Sequence, residues 1–96
     1  MNLHTLRTRY RDAILAMAAT HKLENVRIFG STVRGKAKAG SDIDLLVHPK
    51  KGCSLLDISK FEVAAQNLLG RKVDVVDDMA IKEMLAPFIL SEAVPL

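Results

Sequence analysis

The chain has 96 residues, of which 49% are hydrophobic, 26% are charged and 4% are aromatic, with a net charge of +3. This composition is typical of one folded domain, residues 1–96, with a modest core, and it argues against a disordered segment. The longest apolar stretches fall well short of the roughly 20 residues of a membrane span, and the first residues lack a signal-peptide pattern. We therefore expect a cytoplasmic protein, and the single cysteine, Cys53, excludes an internal disulfide.

An apolar stripe near the N-terminus recurs at three- and four-residue steps, which predicts an amphipathic helix lying on a sheet. A short strand over residues 26–29 follows it and ends at Gly30. Residues 31–35 are then expected to form a turn or a single helical turn, and residues 36–41 a polar loop. The stripe consists of Leu3, Leu6, Tyr10, Ile14, Met17 and His21.

A second strand is predicted over residues 42–47, and Pro49 is expected to end it because proline cannot continue a strand ladder. Ser54 followed by Asp57 resembles a capping box and predicts the start of a helix. Gly70 is a natural C-terminal stop for that helix. The predicted apolar face of the helix comprises Leu55, Ile58, Phe61, Ala65 and Leu68.

The last part of the chain predicts a third strand over residues 71–76. Asp77 and Asp78 are suited to cap a short helix after that strand, and Pro87 is suited to begin another. Residues 93–96 fit either a terminal strand or a docked tail, and the sequence does not decide between them. The order of elements indicates an α/β or α+β fold in which helices pack on a sheet.

Three carboxylates in the predicted strands are candidates for a metal site. Asp42 and Asp44 are two residues apart, so their side chains share one face of a strand with Cα atoms about 6–7 Å apart. Asp74 has the same setting in the third strand and can face this pair from a neighbouring strand. Converging carboxylates repel one another without a cation. Their hard oxygen ligands suit Mg²⁺, and two such ions can bridge the oxygens of a phosphoryl displacement.

Ten residues separate Gly30-Ser31 from the acidic pair, and this turn offers the groups that a nucleoside triphosphate needs. Glycine lets a phosphate approach the backbone, and the N–H groups and the Ser31 hydroxyl can donate to it. Arg34 can bind a phosphate oxygen through its guanidinium group. Each feature alone is most often a turn or a solvated strand face, but their order and spacing together favour nucleotidyl transfer.

The chain resembles the minimal nucleotidyltransferases of the DNA polymerase β-like superfamily over nearly its whole length. The resemblance implies the nucleotidyltransferase fold, a small mixed sheet flanked by helices. It also implies Asp42 and Asp44 as Mg²⁺ ligands, Asp74 as a third ligand or as the base for the attacking hydroxyl, and Ser31 as a phosphate-binding residue. The matching segments are Gly30-Ser31, Arg34-Gly35, Ser41-Asp42-Ile43-Asp44-Leu45-Leu46-Val47, the Ser54-Leu55-Leu56-Asp57 helix start, Lys72-Val73-Asp74-Val75-Val76 and Ile89-Leu90-Ser91-Glu92-Ala93-Val94.

The resemblance also implies a biological setting, because small members of this family are commonly antitoxins encoded beside a HEPN-domain toxin. Some of them transfer AMP from ATP to a tyrosine of the toxin. We therefore expect a protein adenylyltransferase that uses ATP and meets its acceptor on another chain. The alternative is a catalytically silent antitoxin that neutralises its partner by contact. A nucleic-acid-binding protein is the least favoured function, since the positive charge is small and no recognition motif is present.

Overall fold

The computed structural model describes residues 1–38 and 40–96, so Ala39 of the predicted polar loop lies outside the described residues. Within that part of the chain, no helix has the length and apolar character needed to cross a bilayer. The elements in chain order are α1 (Leu3–Thr5), a π-helical turn (Leu6–Tyr10), α2 (Arg11–Thr20), β1 (Leu23–Phe29), a 3-10 turn (Gly30–Thr32), β2 (Ile43–Pro49), α3 (Leu55–Leu69), β3 (Val73–Asp77), α4 (Ala86–Glu92) and β4 (Val94–Pro95).

The four strands form one mixed sheet with the order β3-β2-β1-β4. β1 pairs antiparallel with β2 on one side and with β4 on the other. β2 pairs parallel with β3, and α3 is the crossover that such a parallel connection requires. A mixed sheet flanked by helices is therefore confirmed.

The hydrophobic core lies between one face of the sheet and the helices α2 and α3. Both predicted helical stripes pack on this face, although Leu55 in the first turn of α3 is exposed and the packed stripe begins at Ile58 instead. The capping box is present, since the Ser54 hydroxyl accepts from the Asp57 N–H and the Asp57 carboxylate accepts from the Ser54 N–H. The buried core residues include Leu6, Ile14, Ala18, Ile28, Ile43, Leu45, Val47, Phe61, Ala65, Leu69 and Val73.

β2 extends two residues beyond the predicted strand, through His48 to Pro49. Pro49 lies opposite Leu23 of β1, whereas pairing with β3 ends at Val47. At Pro49 the strand therefore pairs with β1 alone. The N–H that proline lacks is not needed for a hydrogen bond to β3.

The short helix predicted after β3 does not form, and residues 78–85 make turns instead. The carboxylate of Asp77 accepts a hydrogen bond of 2.8 Å from the N–H of Met79, which closes a turn. The carboxylate of Asp78 bonds Arg27 at 2.5 Å and His48 at 2.8 Å. Both acids are thus engaged in contacts other than a helix cap.

The C-terminal residues form both a strand and a docked tail, the two alternatives that the sequence left open. Val94 and Pro95 pair with Ile28 and Arg27 of β1. Leu96 follows with its side chain buried in the core and its N–H donating to the carbonyl of Val26 at 3.1 Å. This attachment fixes the end of α4 beside the C-terminal end of β1.

Candidate active site

The register of the parallel pair places two of the predicted acidic residues side by side. Asp44 of β2 lies opposite Asp74 of β3, and the preceding pair, Ile43 and Val73, points into the core. Because side chains alternate along a strand, both carboxylates project from the face opposite the core. Asp42 precedes β2 by one residue and is close enough for its charge to act on Asp44. The prediction that Asp44 and Asp74 face the same side from neighbouring strands is therefore confirmed.

A lysine that the sequence analysis did not single out lies between two of these carboxylates. The Nζ atom of Lys72 is 3.7 Å from Asp42 Oδ2 and 3.9 Å from Asp74 Oδ1. In their present positions, no three Asp, Glu, His or Cys side chains among residues 1–38 and 40–96 stand close enough to hold a metal ion. The acidic face thus holds a cationic group but not a preassembled metal cluster.

Asp44 is the electrostatic centre of this face. Desolvation by burial, followed by the negative charges of Asp74 and Asp42, raises the pKa of the Asp44 carboxyl above its ordinary value, and Arg34 partly opposes the shift. The folded protein therefore disfavours the ionised form of Asp44. A bound cation would relieve this penalty by neutralising the repulsion.

Gly30 is brought to Asp44 by the antiparallel register, since Phe29 at the end of β1 lies opposite Asp44. The backbone of Gly30 has a φ of +81°, a conformation that other residues rarely adopt. A Cβ atom at this position would also collide with the carboxylate of Asp44. Glycine is therefore needed here both for the turn and for the close approach of an acidic side chain.

Ser31 and Arg34 lie on the turn that follows Gly30. The 3-10 turn is closed by the N–H groups of Val33 and Arg34, which donate to the carbonyl of Gly30 at 3.1 and 3.2 Å. Among the residues that the structure describes, the Ser31 hydroxyl has no hydrogen-bond partner, so it is available to a ligand. Gly30 and Arg34 are thus held next to Asp44, and Ser31 lies between them in the turn.

Glu92, the last residue of α4, contacts this turn from a position 62 residues away in the chain. Its Oε1 atom accepts from the backbone N–H of Gly30 and, at 3.1 Å, from Arg34 Nη1. Its Oε2 atom accepts from Arg34 Nη1 at 2.8 Å. Glu92 stands in one of the segments that carry the family resemblance, but no local pattern in the sequence marks it as a site residue, because its contact is made across the chain.

A cavity of about 260 Å³ opens at this contact. It lies between the ends of β1 and β2 with the turn after β1 on one side and α4 on the other, so Asp44 meets Gly30 and Arg34 there, whereas Asp42, Asp74 and Ser31 do not line it. A larger depression of about 430 Å³ lies on the outer face of α3, but it contains no acidic residue and is unrelated to these groups. The residues that line the first cavity are Phe29, Gly30, Arg34, Asp44, Phe88, Ile89 and Glu92.

The sequence matches a known protein family. The family model described as a nucleotidyltransferase domain matches residues 11–96. A protein from Thermococcus cleftensis named protein adenylyltransferase MntA is 39% identical over 91 residues, which cover 86% of this chain and 92% of the relative.

Solved structures show the same fold. One, of a protein provisionally assigned as a minimal nucleotidyltransferase, has a TM-score of 0.86 and 44% identity, and the match covers 100% of this chain and 97% of the other. A chain from a complex of a tri-AMPylated HEPN toxin of Shewanella oneidensis with an MNT antitoxin has a TM-score of 0.66. Its identity is 19%, with 88% of this chain and 66% of that chain covered, so this likeness concerns the fold alone. On the match to the family model and to close relatives, the protein belongs to the nucleotidyltransferase domain family and is a nucleotidyltransferase.

Proposed function

We propose that this nucleotidyltransferase moves AMP from ATP to a hydroxyl group of a partner protein, a tyrosine of a HEPN-domain toxin, and so acts as an antitoxin. The observation that carries this proposal is the adjacency of Asp44 to both Asp74 and Gly30. Carboxylates therefore stand beside candidate phosphate-binding donors where β1 ends and β2 begins. Such a combination suits a polyphosphate with its cations better than it suits an uncharged ligand.

Asp42, Asp44 and Asp74 are our candidates for holding Mg²⁺, with two ions as the expected number. Their oxygen donors match the preference of Mg²⁺, and the raised pKa of Asp44 under the repulsion of its neighbours marks a place where a cation is favoured. Bound Mg²⁺ would supply neutralisation of the phosphate charge. Lys72 Nζ is within 4 Å of Asp42 and Asp74, so it is already placed as a positive group against this acidic face.

Gly30, Ser31 and Arg34 are our candidates for binding the triphosphate. In the proposed step, the acceptor oxygen forms a bond to the α-phosphorus, and the bond from that phosphorus to the bridging oxygen of the β-phosphate breaks. Pyrophosphate leaves, and the hydroxyl proton passes to a carboxylate. Asp74 is our candidate for that base or for the third metal ligand, since it lies on the same face as Asp44 and is 42% exposed.

The acceptor is expected on another protein because the cavity is open and is bordered by exposed apolar side chains. Phe88 lines the cavity with 74% of its surface exposed, and Met84, Leu85 and Leu90 are exposed on the same segment. An apolar border of this kind is typical of a protein-binding surface. The name of the Thermococcus relative supports a protein as the acceptor of AMP, and the complex from Shewanella supports a HEPN toxin as that protein.

Intact mass spectrometry of the partner tests this proposal. The purified protein is incubated with ATP, Mg²⁺ and the product of its neighbouring gene, and the partner is expected to gain the mass of one or more AMP groups. Peptide mapping then locates the modified hydroxyl. Omitting Mg²⁺, or replacing ATP by a form whose α,β bridge cannot be cleaved, is expected to abolish the gain.

A catalytically silent antitoxin is the competing function. It predicts a partner that binds tightly and stays unmodified under the same conditions. The presence of all three acidic residues on one face favours the enzyme, because a purely binding module has no need to keep three mutually repelling carboxylates.

A further inference from the structure

Glu92 occupies the groups to which the triphosphate is assigned. Its carboxylate accepts from the N–H of Gly30 and from the guanidinium of Arg34, with Nη1 at 2.8 Å from Oε2. These are charge-assisted hydrogen bonds, the stronger class in proteins. A carboxylate and a phosphate both present oxygen acceptors to such donors, and the same N–H groups cannot serve both at once.

On the basis of the proposed function, we infer that Glu92 is an internal competitor for the nucleotide, whose carboxylate must leave Gly30 and Arg34 before the triphosphate binds there. Glu92 thereby sets the affinity of the site. It holds the turn after β1 in a binding geometry while no nucleotide is present, and it lowers the apparent affinity by the fraction of time that it occupies the donors.

The surroundings of Glu92 allow this exchange. α4 has seven residues and none of them is fully buried, so a small displacement of its last turn disturbs little packing. The Arg34 side chain is 52% exposed and can follow either partner. β4 and the buried Leu96 remain anchored to β1, which keeps Glu92 next to the site after it has been displaced.

The charges around Glu92 also favour its displacement by a triphosphate. Glu92 adds negative charge beside Asp44, where Asp42 and Asp74 already contribute repulsion. An arriving triphosphate brings further negative charge to this place. Withdrawal of the Glu92 carboxylate from Arg34 restores a cation for the phosphate and removes one negative group from its immediate surroundings.

Calorimetric titration of the purified full chain with ATP and Mg²⁺, and separately with inorganic triphosphate, tests this inference. The Glu92→Gln variant keeps the shape of the side chain and removes its charge, and it is expected to bind both ligands about tenfold more tightly than the wild type. Glu92→Asp keeps the charge but shortens the reach, and its affinity is expected to lie between the two. Glu83→Gln is the matched control, since it removes an equal charge from an exposed turn outside the cavity and is expected to leave both affinities unchanged.

The opposite sign would overturn the inference. Weaker or equal binding by both Glu92 variants, while the wild type binds ATP and Arg34→Gln weakens that binding, would make Glu92 a support for Arg34 rather than a competitor. The proposed function would then stand. Absence of ATP and triphosphate binding in every variant, with unchanged thermal melting, would overturn both proposals together.

Discussion

On the face of the sheet that packs against α2 and α3, the side chains of Ile28, Leu45 and Val73 are fully buried. On the opposite face, Asp44 lies beside Asp74 and lines a cavity that α4 borders. The same strands thus carry both sets of residues in alternation. One face stabilises the fold through apolar burial, and the other holds repelling charges that cost stability.

The opposite face is not polar throughout. Leu46 is fully buried there, between Asp44 and His48 along β2. The Arg27–Asp78–His48 network, with contacts of 2.5 and 2.8 Å, ties the turn after β3 to β1 and β2 on this face.

Replacing one phenylalanine on each side of the molecule gives the largest expected contrast in stability. Phe61 of α3 is fully buried in the core, whereas Phe88 of α4 is 74% exposed. Phe61→Ala is expected to lower the free energy of unfolding by about 3–5 kcal/mol through lost burial and a cavity. Phe88→Ala is expected to change it by less than about 0.5 kcal/mol, as an exposed substitution does. Urea denaturation of both variants measures the contrast, and equal losses would contradict the assignment of the core to one face.

Asp44→Asn separates function from stability on the opposite face. The variant removes the most desolvated carboxylate of the site, and AMP transfer is expected to fall by about 100-fold or more, as it does when one preorganised electrostatic group is removed. Metal-free protein is nevertheless expected to melt at a higher temperature at neutral pH, because the ionised Asp44 side chain is disfavoured in the fold. Mass spectrometry and thermal melting measure the two effects.

The pH dependence of that stability gain has a definite sign. Because the pKa of Asp44 is raised in the folded state, its protonated form stabilises the fold below the ordinary value of 3.8, and this contribution is lost as the pH rises through the folded pKa. The melting temperature of Asp44→Asn is therefore expected to exceed that of the wild type by more as the pH rises, and by less in acid. Asp12→Asn, in the exposed first turn of α2, removes an equal charge and is expected to lower the melting temperature slightly through the helix dipole. A melting temperature of Asp44→Asn below that of the wild type would contradict the inference that repulsion at Asp44 destabilises the fold.

Two glycines with positive φ test how closely the turn after β1 approaches the acidic face. A methyl group at Gly30 would collide with the Asp44 carboxylate, whereas at Gly35, with a φ of +70°, it would meet nothing within 4 Å. Gly35→Ala is expected to cost about 1–2 kcal/mol from backbone strain alone. Gly30→Ala is expected to cost more, about 2–3 kcal/mol, since an overpacked contact adds to the strain. Chemical denaturation measures the loss of unfolding free energy in both variants. Equal losses would show that the Asp44 side chain can move away from the added methyl group at little cost.

The sequence predicts the local features of this molecule well, because they depend on neighbouring residues. Alternation along β2 separates Ile43 and Leu45 from the acids, and the Ser54 cap and the Gly70 stop define α3. The parallel adjacency of Asp44 and Asp74 follows once β2 and β3 are accepted as neighbours, which the family resemblance implies. The nucleotidyltransferase fold is accordingly confirmed.

Contacts between distant segments escape the same reasoning. Glu92 reaches Gly30 across 62 residues, and nothing in residues 86–96 indicates which face of the sheet their helix crosses. Asp78 is a plausible helix cap in sequence, but Arg27 and His48 compete for it once the sheet has formed. Lys72 lies inside the strand predicted over residues 71–76, whereas β3 begins at Val73, and only the register places Lys72 within 4 Å of Asp42 and Asp74. Tertiary contacts override local preference in each case.

The smallest expected effect concerns a cap on the core side, where stability can be changed without touching the acidic face. Ser54→Ala removes the hydroxyl that accepts from the Asp57 N–H at 3.2 Å, and it is expected to lower the free energy of unfolding by about 1 kcal/mol. Ser54→Thr keeps the hydroxyl and is expected to retain most of that stability. AMP transfer is expected to be unchanged in both variants, since α3 contributes no residue to the cavity.

Acid pH sharpens the test of this cap. Hydrogen bonds from the Ser54 backbone N–H and then from its hydroxyl lower the pKa of Asp57 below 3.8, so the stability that they provide is present above that value and is lost as the pH falls through the folded pKa. The difference in unfolding free energy between wild type and Ser54→Ala is therefore expected to narrow below pH 3.8. The difference between wild type and Asp44→Asn is expected to narrow at higher pH, above 3.8. Denaturation curves at several pH values separate the two. Because Ser54→Ala keeps the backbone N–H bond to Asp57, a difference that persists unchanged into strong acid would show that the Ser54 hydroxyl stabilises the cap through the Asp57 N–H and not through the Asp57 carboxylate.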